Sequence, residues 1–187
     1  MNSLRKRLDA FFLTYRRNEI PTDLLTRAAV LVPIFEKSGD PHFLLTKRTE
    51  DVEHHKGQIS FPGGAVDRED GDIITTALRE SEEEIGLSPA SVVILGIVDD
   101  ITVPTGFVIT PVVGYFSTLP PLKLNTKEVE SILEVPLSFF LEPNNKRVVQ
   151  MMREGIRRDV FFFDYGEIEI WGATAAIINS FLTNLYR

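Results

Sequence analysis

The segment from Gly57 to Leu87 constrains the fold most, because an extended run, a glycine turn and a helical pattern follow one another in it. The turn is Pro62-Gly63-Gly64, and apolar residues recur at helical spacing from Asp72 to Ile85. Asp72 is a residue type that caps the first turn of a helix, and Gly86 is a type that follows the last turn. The segment therefore predicts a helix over 72–85 that starts shortly after a glycine turn.

Strand and helix patterns are mixed along the rest of the chain. Apolar β-rich runs predict two hairpins and two single strands, at 28–35 with 42–46, at 148–152 with 160–163, at 92–98 and at 110–116. Helical spacing predicts a helix at each end, over about residues 3–17 and about residues 173–186. This order predicts an α/β (α+β) fold in one domain over 1–187, an α/β/α sandwich with a mixed curved β-sheet between the helices.

The composition excludes several classes of function. The chain has 187 residues and no cysteine, which excludes disulfides, thiolate zinc sites and cysteine nucleophiles and fits the cytoplasm or another reducing compartment. Its net charge of −7 argues against general nucleic-acid binding, which needs a basic face. No run approaches the roughly 20 apolar residues that span a bilayer, so no membrane role is predicted. A phosphate-bearing small ligand stays compatible, because a bound divalent cation reverses the local sign of the charge.

Three glutamates near the end of the predicted helix, Glu80, Glu83 and Glu84, are three and four positions apart and share one helix face. Like charges at that spacing cost roughly 0.2–0.5 kcal/mol per pair, and carboxylates in the last turn also oppose the helix dipole. Arg79 offsets part of this cost through Glu83. A hard cation bound by the three carboxylates would offset far more, and such oxygen ligands suit Mg²⁺ or Mn²⁺ rather than zinc.

Taken alone, these glutamates are equally compatible with a solvated acidic helix end. The preceding Gly63-Gly64 changes the interpretation, since glycine lets the backbone approach a ligand closely. A glycine turn that leads into a helix with aligned carboxylates is a coherent site for a metal ion and a diphosphate.

The same stretch resembles the Nudix box, GX5EX7REUXEEXGU, in which U is a bulky apolar residue. Gly64 matches the first glycine, and the second half of the motif is matched by Arg79, Glu80, Glu83, Glu84, Gly86 and Leu87. The resemblance implies the Nudix fold and hydrolysis of a nucleoside diphosphate linked to another group, with Mg²⁺ as cofactor and Mn²⁺ as a substitute. It also implies that Glu80, Glu83 and Glu84 are metal ligands, helped by the Gly63 carbonyl.

The chain departs from the box at its first acidic position. After five intervening residues Gly64 is followed by Asp70 in place of glutamate, and eight residues, not seven, separate Asp70 from Arg79. In the family this acidic residue orients the arginine, so Asp70, Arg79 and Gly64 are predicted to support the site structurally. Ser81 stands where the motif has a bulky apolar residue, which predicts tight packing there.

A second resemblance covers the residues before the box. Leu44-Leu45-Thr46-Lys47-Arg48 and the run from Gly57 to Gly64 are similar to LLTXRSX3RX3GX3FPGG, the signature of coenzyme A pyrophosphatases. Thr49 replaces the serine, and Glu53 replaces the second arginine with a residue of opposite charge. Lys47 and Arg48 can still supply positive charge for phosphates. The residues predicted to bind the substrate are Lys47, Arg48, His55 and Gln58.

Catalysis calls for a further carboxylate from another loop, to complete the metal site or to act as the base. Glu128 is the candidate, because in Nudix relatives such a glutamate precedes an apolar-Pro-apolar stretch like Val135-Pro136-Leu137. Glu130 is the alternative. The predicted catalytic residues are therefore Glu83 and Glu84 on the helix and Glu128 on the loop.

Together the two resemblances imply a Mg²⁺-dependent pyrophosphohydrolase that cleaves coenzyme A or a derivative to 3′,5′-ADP and 4′-phosphopantetheine. One alternative is a Nudix hydrolase of ADP-ribose, a dinucleotide polyphosphate or a nucleoside triphosphate. Another is a Nudix-like module that binds a nucleotide without cleaving it. The expected partner is a small nucleotide, not a nucleic acid or a membrane. The terminal helices could also mediate a homodimer, which the sequence pattern alone does not decide.

Overall fold

A computed structural model describes residues 3–22, 25–50, 56–153 and 155–187. The helices in these ranges are α1 (Ser3–Thr14), α2 (Ile73–Ile85), α3 (Leu137–Leu141) and α4 (Gly172–Leu185). The strands are β1 (Thr26–Lys37), β2 (Asp40–Arg48), β3 (Ile59–Ser60), β4 (Gly63–Ala65), β5 (Val93–Ile97), β6 (Ile101–Val103), β7 (Phe107–Phe116), β8 (Val129–Pro136), β9 (Lys146–Arg153), β10 (Ile156–Tyr165) and β11 (Ile168–Trp171).

The larger sheet has eight strands and mixed polarity. Its central order is β3-β2-β1-β7-β5, while β4 pairs with β1, β6 with β7 and β8 with β2. β1 and β7 run parallel over ten paired residues, from Thr26 opposite Phe107 to Phe35 opposite Phe116. The predicted hairpin of β1 and β2 is confirmed, with Ile34 opposite Phe43. Leu31 to Phe35 is a continuous buried run, as expected of a strand that is covered on both faces.

Helices cover both faces of this sheet, which confirms the predicted α/β/α sandwich. On one face, Leu8 of α1 and Phe181 of α4 are buried in the same apolar cluster as Phe43 of β2. On the other face, Ala77 and Ile85 of α2 are buried in a second cluster. Among the described residues, no helix has the length and apolar character needed to cross a membrane.

A second, three-stranded sheet is formed by β9, β10 and β11. The predicted hairpin at this place is confirmed, with Val160 of β10 opposite Val149 of β9. Phe163 of β10 and Ile170 of β11 are buried in the cluster under α4. Thr174 near the start of α4 donates a 3.0 Å hydrogen bond to the Ile59 carbonyl of β3, which ties this part of the chain to the segment before the glycines.

The first helix ends at Thr14 rather than near residue 17. Two aspartates after β5 bind the backbone of the residues that follow α1 and hold it in a non-helical path. The Asn18 amide donates to Asp99 at 2.8 Å, and the Ile20 amide donates to Asp100 at 2.9 Å. These bonds take backbone donors that a longer helix would have used internally.

Candidate active site

The box helix α2 begins and ends as its sequence predicts. The Asp72 carboxylate accepts a 2.8 Å hydrogen bond from the Thr75 amide and so caps the first turn. Gly86 adopts the left-handed conformation at φ 67°, and its amide donates to the Glu82 carbonyl, which closes the last turn. Ser81 is fully buried, and its hydroxyl donates to the Ala77 carbonyl at 2.6 Å. A small side chain that satisfies its own hydroxyl therefore suits this packed position.

Gly63 and Gly64 lie in the short strand β4 and not in a free turn, because their backbone pairs with β1. A Cβ atom at Gly63 would overlap the Ala29 carbonyl oxygen. A Cβ atom at Gly64 would overlap the carboxyl group of Glu80. At Gly63 the obstacle is the backbone of β1, so only glycine lets the two strands approach so closely. At Gly64 the obstacle is the end of the Glu80 side chain, which a larger residue would displace from the backbone.

Asp70 and Arg79 form a bidentate ion pair beside the helix. Arg79 Nε and Nη2 each lie 3.0 Å from one oxygen of Asp70. The Thr76 hydroxyl and the Asp67 amide also donate to Asp70, at 2.8 and 2.9 Å. The hydrogen bonds from Arg79 hold the pKa of Asp70 well below its usual range. Asp70 has a shorter side chain than the glutamate of the motif, and the segment between it and Arg79 is one residue longer. A carboxylate nevertheless reaches the arginine.

Arg79 also neutralises two of the box glutamates. Its Nη1 lies 2.8 Å from Glu80 Oε1 and 3.3 Å from Glu83 Oε2. Glu83 is exposed, whereas burial raises the pKa of the Glu80 carboxyl, an effect that Arg79 opposes and the charges of Glu83 and Glu128 reinforce. The predicted ligands Glu80 and Glu83 therefore share Arg79 as a counter-ion.

Glu84 is the most deeply buried of the box glutamates, with 3% of its surface exposed. Its Oε2 accepts a 3.3 Å hydrogen bond from the Gly63 amide, and its Oε1 lies 3.4 Å from Arg48 Nη1. Burial raises the pKa of Glu84 to about 7, and the negative charges of Glu80 and Glu128 act in the same direction. Glu84 is thus a buried acid that, within the described residues, has two long contacts to donors and like charges nearby.

Glu128 lies close enough to Glu80 and Glu84 to act on both electrostatically. The link is Asn125, whose amide donates to the Glu84 carbonyl at 2.9 Å and whose Nδ2 donates to Glu128 Oε1 at 3.0 Å. The Thr49 amide donates to the Glu128 carbonyl at 2.9 Å. The structure therefore brings the predicted loop carboxylate to the box helix. Sequence reasoning missed Asn125, although asparagine is a frequent turn residue.

The predicted substrate-binding residues do not all lie together. Arg48 contacts Glu84, whereas Lys47 pairs with the exposed Glu130 at 2.8 Å. Because side chains alternate along a strand, Lys47 and Arg48 project from opposite faces of β2. The Gln58 carbonyl accepts a 3.0 Å hydrogen bond from the Arg48 amide, so this residue lies beside the site. His55 and Glu53 fall outside the described residues.

The carboxylates fit a hard divalent cation by their chemistry. In the part of the chain that the structure describes, no three carboxylates or histidines are already arranged as a ligand set. Glu80 and Glu83 each contact Arg79 instead. The donors are all oxygen atoms, the local charge is negative, and Glu84 is buried at a cost that a cation would relieve. Mg²⁺ and Mn²⁺ match these properties.

Comparison with known proteins places the chain in a family. A family model described as the NUDIX domain matches residues 25–152. The chain is 38% identical over 152 residues to a protein of Escherichia coli O1:K1 / APEC named uncharacterized Nudix hydrolase NudL, and the match covers 81% of this chain and 79% of that protein.

Solved structures share the fold at low sequence identity. A MutT/nudix family protein from Enterococcus faecalis aligns with a TM-score of 0.56 at 14% identity and covers 99% of this chain and 70% of that one. The NUDIX domain of Shewanella oneidensis NrtR, complexed with ADP ribose, aligns with a TM-score of 0.51 at 19% identity and covers 75% of this chain and 87% of that one. These similarities show the fold alone.

Fold and site thus define an α/β/α sandwich with a glycine-supported cluster of glutamates on its box helix. The chain belongs to the Nudix hydrolase family. Membership supports an enzyme that acts on a pyrophosphate bond, and enzymes of this family generally use divalent metal ions such as Mg²⁺.

Proposed function

We propose that the chain hydrolyses the diphosphate of coenzyme A or of a coenzyme A derivative, with Mg²⁺, to 3′,5′-ADP and 4′-phosphopantetheine. The observation that carries this proposal is the contact between Arg48 and Glu84 at 3.4 Å. Arg48 belongs to the segment that resembles coenzyme A pyrophosphatases, and Glu84 belongs to the Nudix box. The two segments thus contribute to one site, as a shared role in binding and cleaving one substrate requires.

In this proposal Glu80, Glu83 and Glu84 would hold the cation, and the Gly63 carbonyl would add a further oxygen. When bound, Mg²⁺ neutralises charge on the diphosphate and makes a water molecule more acidic. Arg79 keeps the helix carboxylates close to one another through its contacts with Asp70 and Glu80. Arg48 supplies positive charge on the side of the site formed by β2.

Glu128 is the general base in this proposal. Asn125 donates to its Oε1 and orients the carboxylate, which accepts a proton from the attacking water. The water oxygen forms a bond to one phosphorus atom, the anhydride P–O bond breaks, and the departing phosphate keeps the electron pair. Glu130 fits this role less well, because it is exposed and paired with Lys47.

ADP-ribose is the second candidate substrate. Glu53 reverses the charge of an arginine in the coenzyme A signature, and the NUDIX domain of NrtR, which has the same fold, is a structure with ADP ribose bound. A dinucleotide polyphosphate or a nucleoside triphosphate would use the same carboxylates. A module that binds a nucleotide without cleaving it is the remaining alternative.

The test is mass spectrometry of the products after incubation of the purified protein with Mg²⁺ and coenzyme A, in parallel with ADP-ribose and a diadenosine polyphosphate. Release of 3′,5′-ADP from coenzyme A is the expected result. Cleavage of only the other substrates would reject coenzyme A and keep the Nudix chemistry. Binding of a nucleotide without any cleavage, with Mg²⁺ or Mn²⁺, would favour the binding module.

Two charge-matched variants of the box helix serve as controls. Glu84→Gln removes a proposed ligand and should abolish the release of product. Glu82→Gln removes the same charge from the same helical turn, but Glu82 is exposed and lies outside the carboxylate cluster. Equal activity of the two variants would show that the cluster is not the active site.

A further inference from the structure

Arg48 combines features that a simple surface contact with substrate does not need. It stands at the end of β2 with 23% of its side chain exposed, and its Nη1 contacts Glu84, whose side chain is 4% exposed. Its Nε is buried and has no hydrogen-bond partner among the residues that the structure describes. A buried guanidinium donor without a partner is costly, and a ligand that places an acceptor beside it would relieve this cost.

The contact between Arg48 and Glu84 is also a weak one. At 3.4 Å it is longer than the roughly 2.7–2.9 Å of a good charge-assisted hydrogen bond. The neighbouring Lys47 shows the contrast, since it holds Glu130 at 2.8 Å on the opposite face of the strand. Arg48 therefore balances the charge of Glu84 without being locked to it.

We propose that Arg48 is a positioning residue that changes partner: it is the counter-ion of Glu84 until a divalent cation binds, and a contact to the substrate diphosphate afterwards. This inference rests on the proposed function, because it takes Glu84 to be a ligand of the cation. It gives Arg48 a role at the metal site that the sequence did not suggest.

The exchange follows from the charges. A cation and a guanidinium carry the same sign, so they compete for the oxygen atoms of Glu84 and repel each other at close range. The released guanidinium keeps a planar fork of N–H donors, including the unpaired Nε, and this geometry matches a phosphate group. Binding of the cation thus prepares a donor for the anionic substrate beside the carboxylates.

The first test measures Mn²⁺ binding alone, without nucleotide, by electron paramagnetic resonance of the free ion. Binding is measured across a range of pH, so that loss of a competing cation is separated from protonation of the carboxylates. Arg48→Gln is expected to bind Mn²⁺ roughly fivefold more tightly than the wild type, which corresponds to about 1 kcal/mol. Inorganic pyrophosphate, added after saturation with Mn²⁺, should bind the variant more weakly.

Lys47→Gln is the matched control, because it removes the same charge from the adjacent residue on the other face of β2. Its affinity for Mn²⁺ should equal that of the wild type. Unchanged or weaker Mn²⁺ binding by Arg48→Gln would overturn the exchange while leaving the proposed function intact. If the wild type binds no Mn²⁺ at a site that Glu84→Gln removes, the proposed function itself fails.

A second measurement uses the wild type, so it does not depend on the folding of a variant. Side-chain N–H resonances of ¹⁵N-labelled arginine are followed during titration with Mg²⁺, and Arg48→Lys assigns the Arg48 signal by its absence. The Arg48 Nε–H should shift and exchange faster with water when Mg²⁺ binds. Arg17, which also has a buried unpaired Nε among the described residues, should not respond. An unmoved Arg48 signal at saturation contradicts the proposal.

Discussion

Asp100 and Glu84 are both buried carboxylates, with side chains 0% and 4% exposed, but their surroundings differ. Asp100 accepts hydrogen bonds of 2.9 Å from the Ile20 amide and 2.8 Å from the Thr110 hydroxyl, and Arg17 lies 3.2 Å away. The contacts of Glu84 are 3.3 and 3.4 Å long. Asp100 therefore has short donors on both oxygens, and Glu84 has none within the described structure.

The difference separates a structural carboxylate from a functional one. Asp100 joins the chain after α1 to β7, and its donors compensate for the loss of water. Glu84 has lost water without equivalent compensation, and Glu80 and Glu128 add like charge beside it. A divalent cation is the partner that would compensate the buried charge of Glu84. The comparison therefore predicts opposite consequences when each carboxylate is replaced by its amide.

The largest expected effect is on turnover. Glu84→Gln keeps the shape of the side chain but removes the charge that a cation needs, so kcat should fall by about 10³-fold or more, which is about 4 kcal/mol of barrier. Asp100→Asn should keep the wild-type kcat, since Asp100 lies outside the carboxylate cluster. Both are measured by product release at saturating Mg²⁺ and substrate. A large loss of kcat in Asp100→Asn would break the distinction.

The next largest effect is on stability, and here the replacement of Asp100 should matter more than the replacement of Glu84. Asp100→Asn leaves Arg17 without its buried counter-ion, and it should lower the free energy of unfolding by about 3 kcal/mol. Denaturation in urea with and without the substitution measures this loss. Glu82→Gln, an exposed change of the same kind, should stay within roughly 0.5 kcal/mol of the wild type. A loss in Asp100→Asn no larger than that of Glu82→Gln would contradict a structural role for Asp100.

A third effect is the pH dependence of the protein without metal. The pKa of Glu84 is raised to about 7 in the fold, against about 4.3 in an unfolded chain. Between these values the folded state holds a proton that the unfolded state has released, so the free energy of unfolding should decrease as pH rises from about 4 to about 7. In EDTA, Glu84→Gln should remove this decrease and be more stable than the wild type at about pH 8, by about 2 kcal/mol.

Addition of Mg²⁺ supplies the complementary half of that experiment. The cation binds the ionised carboxylate, so it should stabilise the wild type more as pH rises, and Glu84→Gln should gain little. Thermal unfolding at several pH values with EDTA or with Mg²⁺ gives both trends. If the wild type and Glu84→Gln share one pH profile in EDTA, Glu84 does not carry the burial cost that sets it apart from Asp100.

Local patterns predicted the local parts of the fold. The helix α2 with Asp72 and Gly86 at its ends, and the hairpin of β1 and β2, follow from capping residues, periodicity and a turn within a few residues. The strand β8 was missed, because Glu130 and Glu134 interrupt its apolar pattern and only its pairing with β2 defines it. The parallel pairing of β1 and β7 was also beyond reach, since no local signal links residues so far apart.

The site also has parts that local sequence patterns predict and parts that only the fold brings together. Helical spacing alone places Glu80 and Glu84 on one face of α2, and Arg79 lies one helical turn before Glu83. The contact of Arg48 with Glu84 joins positions 36 residues apart. That Arg48 and not Lys47 makes this contact depends on which face of β2 lies toward α2. Asn125 was invisible for the same reason, because its importance arises from the packing of its loop against the end of α2.

The smallest effect concerns Glu128, whose side chain has one donor among the described residues, Asn125 Nδ2 at 3.0 Å, fewer than Asp100 but at a shorter distance than the donors of Glu84. Asn125→Asp keeps the oxygen that accepts from the Lys127 amide but replaces the donor with a like charge beside Glu128. We expect kcat to fall about tenfold with little change in KM, because Glu128 loses its hydrogen-bond donor and gains a like charge beside it. A lower Tm with an unchanged kcat would mean that Asn125 supports only the loop. A lower kcat with an unchanged Tm would instead show that the position of the Glu128 carboxylate depends on the Asn125 donor.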